Sequence, residues 1–281
     1  MIKQEYKEHP LICSISGGKD STAMILFLLE NNIDFEPVFL DTGWEHELTY
    51  EYLEYLEKMV LKRPITRLRN KKYFDTEKGG YVEMVEKGLF FPSQHRRTCT
   101  LNLKVQPIQE YLTELRFKHK KKPINAVGIR RQESQARSIL DEYEEKDESI
   151  IWRPLISWDK EQIIDIHRKY NVSPNPLYLK GLSRVGCFPC IFSRKKEIKH
   201  MYKVYPERFD LIRDLEKSVK EKVLSKNPDN TSVYSFFNRG LIDEVIDWSL
   251  GEQYDLFEDD EFENQGCLSW GLCDMGDQTK G

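Results

Sequence analysis

The 281-residue sequence has no apolar run approaching the roughly 18 residues that a membrane-spanning helix needs. That excludes a helical membrane span. Its first ten residues, Met-Ile-Lys-Gln-Glu-Tyr-Lys-Glu-His-Pro, are polar and lack the apolar core of a secretory signal, so a cytoplasmic location is the expectation. Net charge is also scarce: 43 Lys and Arg stand against 47 Asp and Glu, leaving −4. No internal repeat is visible. Two glycine signatures are missing too, the Walker A pattern G-x-x-x-x-G-K-[ST] and the dinucleotide pattern G-x-G-x-x-G. Cysteines number only six, Cys13, Cys99, Cys187, Cys190, Cys267 and Cys273. In a cytoplasmic protein they are expected to serve metal binding or redox chemistry rather than structural disulfides.

What is present is concentrated in residues 11–22. An apolar run, Leu11 to Ile15, leads into Ser16-Gly17-Gly18-Lys19-Asp20-Ser21-Thr22, and an apolar helical stretch follows from Ala23. The order is strand, glycine turn, helix N-terminus. Paired glycines allow positive φ and close approach of the backbone to a ligand. The unpaired N–H groups at the helix start favour an anion. Ser16, Gly17, Gly18, Lys19, Asp20 and Ser21 therefore form a candidate phosphate cradle.

Downstream, strands are expected at 35–40, 64–69, 124–129 and near Trp152, alternating with helices at 20–31, 46–60, 81–87, one that residues 97–107 lead into and that runs through about 115, and 159–169. Residues 141–148 are acid-rich and are expected to form an exposed loop, and Asn175 to Tyr178 a turn. Strands alternating with helices predict an α/β fold with a doubly wound, mainly parallel sheet covered on both faces. From about residue 171 the pattern changes to helical and irregular, with helix predicted over 194–224. The expected division is a nucleotide-binding domain, 1–170, and a smaller α-rich, cysteine-containing C-terminal region, 171–281.

Charge is segregated. Residues 95–131 hold ten Lys or Arg against Glu110 and Glu114, whereas 252–263 hold seven acids and no Lys or Arg. The basic middle suits a nucleotide or a nucleic acid. For the Lys118–Lys122 run alone, a solvated surface is the plainer reading. Asp41 ends the second strand, where a ribose, an adenine or a metal-bound water would sit. Arg130, Arg131 and Arg137 follow the fourth strand and suit bidentate contacts to phosphate or sulfate. The alternative for them is pairing with neighbouring acids.

Cys187 and Cys190 have the C-x-x-C spacing of half a zinc or iron–sulfur site. Their glycine- and proline-containing loop suits metal better than a thioredoxin-like pair, which opens a helix. Cys99, beside Arg96 and Arg97, is the candidate third ligand, and Cys267 or Cys273 the fourth. Cys13, within the first strand, is expected to be core.

With these residues in view, the chain resembles the phosphoadenosine phosphosulfate (PAPS) reductase family of the PP-loop, or adenine nucleotide α-hydrolase-like, superfamily. The resemblance spans roughly residues 10–192. It rests on Ser16 to Thr22, Leu40-Asp41-Thr42-Gly43, Arg97-x-Cys99-Thr100-x-x-Leu103-Lys104-x-x-Pro107, Gly128-x-Arg130-x-x-Glu133-Ser134-x-x-Arg137, Trp152-x-Pro154-Leu155, Asn175 to Tyr178, and Cys187-x-x-Cys190. It implies an adenine nucleotide, ATP or PAPS, bound at the strands' carboxyl ends and contacted by the loop, Asp41, Gly128 and Arg131, with Mg²⁺ if ATP is used. It implies a reaction at or beside the α-phosphate, with Lys19, Asp20, Arg130 and Arg137 acting on the phosphates. Cys99-Thr100 stands where cluster-bearing reductases carry paired cysteines. Ser269 to Gly276 replaces their terminal Glu-Cys-Gly-Leu-His. The single-cysteine form looks more like relatives that transfer sulfur in DNA phosphorothioation and carry an iron–sulfur cluster. The reductase version makes Cys273 the nucleophile, served by a thiol reductant. The transfer version assigns Cys99, Cys187, Cys190 and a tail cysteine such as Cys267 to a [4Fe-4S] cluster, with zinc as the alternative, and needs a sulfur donor and a nucleic-acid or protein acceptor. The competing class is a non-catalytic nucleotide- or nucleic-acid-binding module with a structural metal knuckle.

Overall fold

The computed structural model of the chain describes residues 2–251, and its sheet is built outward from one strand. β1 (Leu11–Ile15) is apolar along most of its length, and four of its five residues are buried. A strand with no polar face needs cover on both sides, the environment of an interior parallel strand. Accordingly β2 (Glu36–Leu40) and β4 (Ile124–Val127) flank it, both parallel. β3 (Thr66–Leu68) extends the sheet beyond β2, and β6 (Ile150–Trp152) beyond β4, also in parallel. β5 (Tyr143–Glu145) closes that edge antiparallel to β6, giving the order β3-β2-β1-β4-β6-β5. Strand order reverses beside β1, so the crevice in which open α/β sheets bind ligands lies at the carboxyl ends of β1 and β4.

α1 (Lys19–Glu30) is buried over most of its first ten residues because it lies between the sheet and α5 (Lys160–Lys169). α5 starts at Asp159, which caps the Gln162 amide at 2.8 Å while the Gln162 side chain returns a bond to the Asp159 N–H. α2 (Glu47–Tyr55) runs on into a π-helical stretch, Leu56–Leu61. α3 (Gly80–Gly88) follows. A single-turn helix, Thr98–Thr100, then passes through a π-helical stretch, Leu101–Val105, into α4 (Gln106–His119).

The structure corrects several sequence expectations. Residues 141–148 are not simply an exposed loop, because β5 lies within them. Tyr143 stacks on Trp152 with ring centroids 5.8 Å apart and planes at 12°, and Glu144 pairs with Arg153. Three residues are too few to show alternation, and acids on an edge strand also discourage pairing with other chains. The 194–224 helix is two, α6 (Lys195–Val204) and α7 (Pro206–Lys226). Pro206 has no N–H to continue the first helix but suits the first turn of the second. Asn175 to Tyr178 forms a cap and the start of a four-residue helix, Pro176–Leu179, instead of a bare turn. α8 (Ile242–Leu250) was not anticipated.

Two cores result. The first lies between the sheet and the helices on it, around Met24, Phe39, Leu53 and Trp152. The second joins α6, α7 and α8 through Phe209, Ile212, Val219 and Val245, and also takes in Trp44, Tyr81, Met84 and Leu103 from the first 170 residues. Among the described residues no helix is long and apolar enough to cross a membrane.

Trp152 is fully buried and its indole donates to Glu142 at 3.0 Å. Trp152→Ala is expected to cost about 3–5 kcal/mol, read as a lower urea midpoint. Tyr143→Ala, which leaves that cavity unopened, is expected to cost less.

Candidate active site

The glycine turn after β1 closes on itself. The Ser21 hydroxyl accepts from the Ser16 N–H at 3.2 Å and donates to the Gly18 carbonyl at 2.9 Å. Gly17 has φ +72°, and a Cβ there would meet the Thr49 methyl at 2.9 Å, so only glycine fits. Residues far along the chain grip the same turn. Asn175 Nδ2 donates to the Gly17 carbonyl at 3.1 Å. The Tyr178 hydroxyl accepts from the Lys19 N–H at 3.1 Å, and His167 Nε2 lies 3.0 Å from the Lys19 carbonyl.

Lys19 Nζ stands 3.4 Å from Asp20 and over the Tyr178 ring at 5.2 Å. Burial opposes its charge, but Tyr178 and Asp20 outweigh it and hold its pKa above the ordinary lysine value. Asp20 in turn accepts from Arg130 Nε at 2.5 Å. Gly128 lets β4 end against α1, since a Cβ there would lie 2.9 Å from the Asp20 carbonyl. Its place is thus a backbone approach behind the loop.

Asp41 sits at the end of β2, as the sequence reading has it, but its carboxylate is fully engaged. One oxygen takes the Gly43 N–H at 3.0 Å and the Tyr50 hydroxyl at 2.7 Å, and the other takes Arg69 at 2.6 and 2.8 Å. Arg137 pairs with Glu133 at 2.5 Å. Arg131 donates to the Leu140 carbonyl. The basic segment is dispersed: Arg116, Lys121 and Lys122 pair with Glu148, Glu8 and Glu145 on the surface.

A cavity of about 330 Å³ begins at Ser16 and is lined by Cys99, Cys187, Cys190, Lys104 and the arginines Arg97, Arg137 and Arg184. The Cys-x-x-Cys loop is pinned from the turn after β2. Phe188 N donates to the Trp44 carbonyl at 2.8 Å, and the Trp44 indole to the Pro189 carbonyl at 3.0 Å. Glu45, buried beneath it, accepts from Thr42 N and Oγ1, Trp44 N and the Tyr50 hydroxyl. Burial pushes the Glu45 carboxyl and the Cys99 and Cys187 thiols above their ordinary values. Lys104 is held charged, first by Cys187 and against its own burial. Sequence reasoning left Lys104 without a role, because five residues from Cys99 is out of phase on a regular α-helix. The π-helical stretch between them brings i and i+5 toward one face.

The hydroxyls of Tyr81, on the cavity wall, and of Thr98, beside Cys99, are buried without a hydrogen-bond partner among the described residues. Among the described residues no three His, Cys, Asp or Glu side chains are arranged to hold a single metal ion. Cys13 is wholly buried, away from this wall, in the first core. Cys267 and Cys273 lie outside the described residues.

Asn175→Ala would strand the Gly17 carbonyl and remove the cap on Leu177 N. A loss of about 1–3 kcal/mol is expected from the unpaired group, measured by chemical denaturation, with weaker nucleotide binding by calorimetry.

Residues 10–193 match the phosphoadenosine phosphosulfate reductase domain family. An uncharacterized 37.8 kDa protein of Escherichia phage 186 is 31% identical over 249 residues, covering 74% of this chain and 75% of that protein. Phosphoadenosine 5'-phosphosulfate reductase of Buchnera aphidicola is 28% identical over 179 residues, covering 63% and 69%. The match covers only 49% and 45% of two uncharacterized relatives from Methanocaldococcus jannaschii. The crystal structure of PAPS reductase from Candida auris, a phosphate complex, superimposes with a TM-score of 0.50 at 20% identity, over 64% of this chain and 82% of that one. It supports the fold.

Proposed function

The chain belongs to the phosphoadenosine phosphosulfate reductase domain family, and from that premise we propose that it is a sulfonucleotide reductase-like enzyme that binds an adenine nucleotide at the Ser16–Ser21 loop and acts at or beside its α-phosphate. One observation carries the reading: a single cavity joins the loop's Ser16 to three arginines and three thiols. Phosphate chemistry and sulfur chemistry therefore share one enclosure.

Lys19 Nζ and the loop N–H groups other than those of Ser16, Gly18 and Lys19, which bond Ser21, Ser16 and Tyr178, receive the nucleotide's phosphates, and Arg137 neutralises charge as the leaving group departs. Arg130, locked to Asp20, positions the start of α1. Asp20 and Asp41 are each held by an arginine, so Mg²⁺ accompanying ATP rests mainly on phosphate oxygens.

In the reductase reaction the Cys273 thiolate attacks the sulfuryl sulfur. An S–S bond forms, the S–O bond to the phosphate breaks, and the adenosine phosphate leaves with the electron pair. An external dithiol then reduces the S-sulfonate, releasing sulfite and becoming a disulfide. The same loop serves the transfer alternative, in which an acceptor on nucleic acid or protein attacks the α-phosphorus of ATP and pyrophosphate leaves.

The donor set on the wall, three thiols with the Lys104 cation to offset negative charge, suits an iron–sulfur cluster, with zinc as the alternative. Cys99, Cys187 and Cys190 would hold the cluster, with Cys267 as the fourth ligand. When bound, it would supply an anionic, redox-capable centre beside the substrate.

The test is anaerobic purification with iron and sulfide analysis, then assays of sulfite release from PAPS and adenosine 5'-phosphosulfate with a dithiol, and of pyrophosphate release from ATP. About four irons per chain are expected, lost in Cys187→Ser. Lys19→Ala should keep the iron but lower turnover by about a hundredfold or more. A colourless protein with one zinc would remove the cluster, and an absence of all nucleotide-dependent turnover would overturn the enzyme reading.

A further inference from the structure

The Asp41–Arg69 pair has no part in the phosphate and thiol chemistry, yet it is built with care. Asp41 and Arg69 are the first residues after β2 and β3, at the carboxyl ends that face the ligand crevice. Asp41 is buried and directs one oxygen at both Arg69 Nε and Nη2, while Gly43 and Tyr50 hold the other oxygen. The Arg69 guanidinium carbon lies over the Phe74 ring, 4.9 Å from its centroid. Phe74 is itself seated between Gly43 and Gly79, where an added Cβ would come within 3.4 and 3.0 Å of its ring. The guanidinium is thus fixed along one edge and on one face, and still half of the side chain is exposed, at 49%.

We propose that Arg69 is the stacking platform for the nucleobase, with Phe74 behind it and Asp41 fixing its plane. The inference rests on nucleotide binding at the Ser16–Ser21 loop. Two strand spacings, about 10 Å, separate β3 from the end of β1, a lateral offset comparable with that from a nucleotide's phosphates to its base. Arginine planes and aromatic rings stack on bases. Asp41 offsets the charge of Arg69, so the platform offers a flat surface without competing for the phosphates. Arg69 is then a determinant of base affinity, separate from the groups that bind phosphate.

Equilibrium binding of ATP, adenosine 5'-phosphosulfate and inorganic tripolyphosphate to the full chain tests this. Arg69→Ala should weaken the nucleotides about ten- to a hundredfold and leave tripolyphosphate unchanged. Arg69→Lys, which keeps the charge but not the plane, should fail to restore nucleotide binding. Phe74→Leu, which keeps apolar packing but removes the ring, should weaken nucleotides in the same direction. Unchanged tripolyphosphate affinity also reports an intact loop in each variant. The proposal is overturned if Arg69→Lys binds like the wild type, if Arg69→Ala leaves nucleotides unaffected, or if it weakens tripolyphosphate equally. Wild-type protein that binds neither nucleotide would instead bring down the functional reading on which the platform depends, and the platform with it.

Discussion

The turn from Gly17 to Lys19 is held from outside itself, and the rest of the site depends on that restraint. Two adjacent glycines make the turn possible but also make it entropically loose. A phosphate cradle made of backbone N–H groups works only if those groups already point the right way. Asn175, Tyr178 and His167 supply the missing rigidity by taking the Gly17 carbonyl, the Lys19 N–H and the Lys19 carbonyl. Nine residues beyond Tyr178 the chain reaches Cys187. Asn175 and Tyr178 of the clamp and the Cys187–Cys190 part of the thiol wall thus lie on one stretch of chain, while Cys99 joins the wall from elsewhere.

Charge around the site is balanced locally. Arg130 answers Asp20, Arg69 answers Asp41, and Lys104 is favoured in its charged form by Cys187 and Glu45. Glu45 is tolerable in its buried position because several donors converge on its two oxygens, and a buried network is stabilising only when its members are satisfied. On the surface of the basic middle, Arg116, Lys121 and Lys122 are tied to acids, and the positive charge lining the cavity comes from Lys104 and three arginines. Arg97, laid over the Phe192 ring at 5.2 Å, and Arg184 have this position. A polyanion approaching the cavity meets cations at its mouth.

Legibility followed distance along the chain. The strand, glycine turn and helix of residues 11–30 could be read because each cue acts within a few residues: an apolar run, φ-permissive glycines and unpaired helix amides. The parallel sheet was legible from the alternation of elements, and Cys187 and Cys190 from their spacing. β5 was not, because a three-residue edge strand exists only through its partner, with Tyr143 lying on Trp152. Nor was the role of Lys104, which depends on a π-helical stretch, or that of Arg131, whose guanidinium goes to a carbonyl nine residues on.

By itself, then, the sequence determined the fold class, the strand, glycine turn and helix of residues 11–30 and the presence of paired thiols, since backbone freedom, hydrophobic period and ligand spacing are local properties. Only the tertiary structure decided that Asp41 faces Arg69 in preference to open crevice, that Asn175 and Tyr178 hold the loop, and that Cys99, Cys187 and Cys190 line the same wall as Lys104. Each of these joins groups tens of residues or more apart, and such contacts are set by how the sheet, the helices and the second core pack, a constraint that no local pattern encodes.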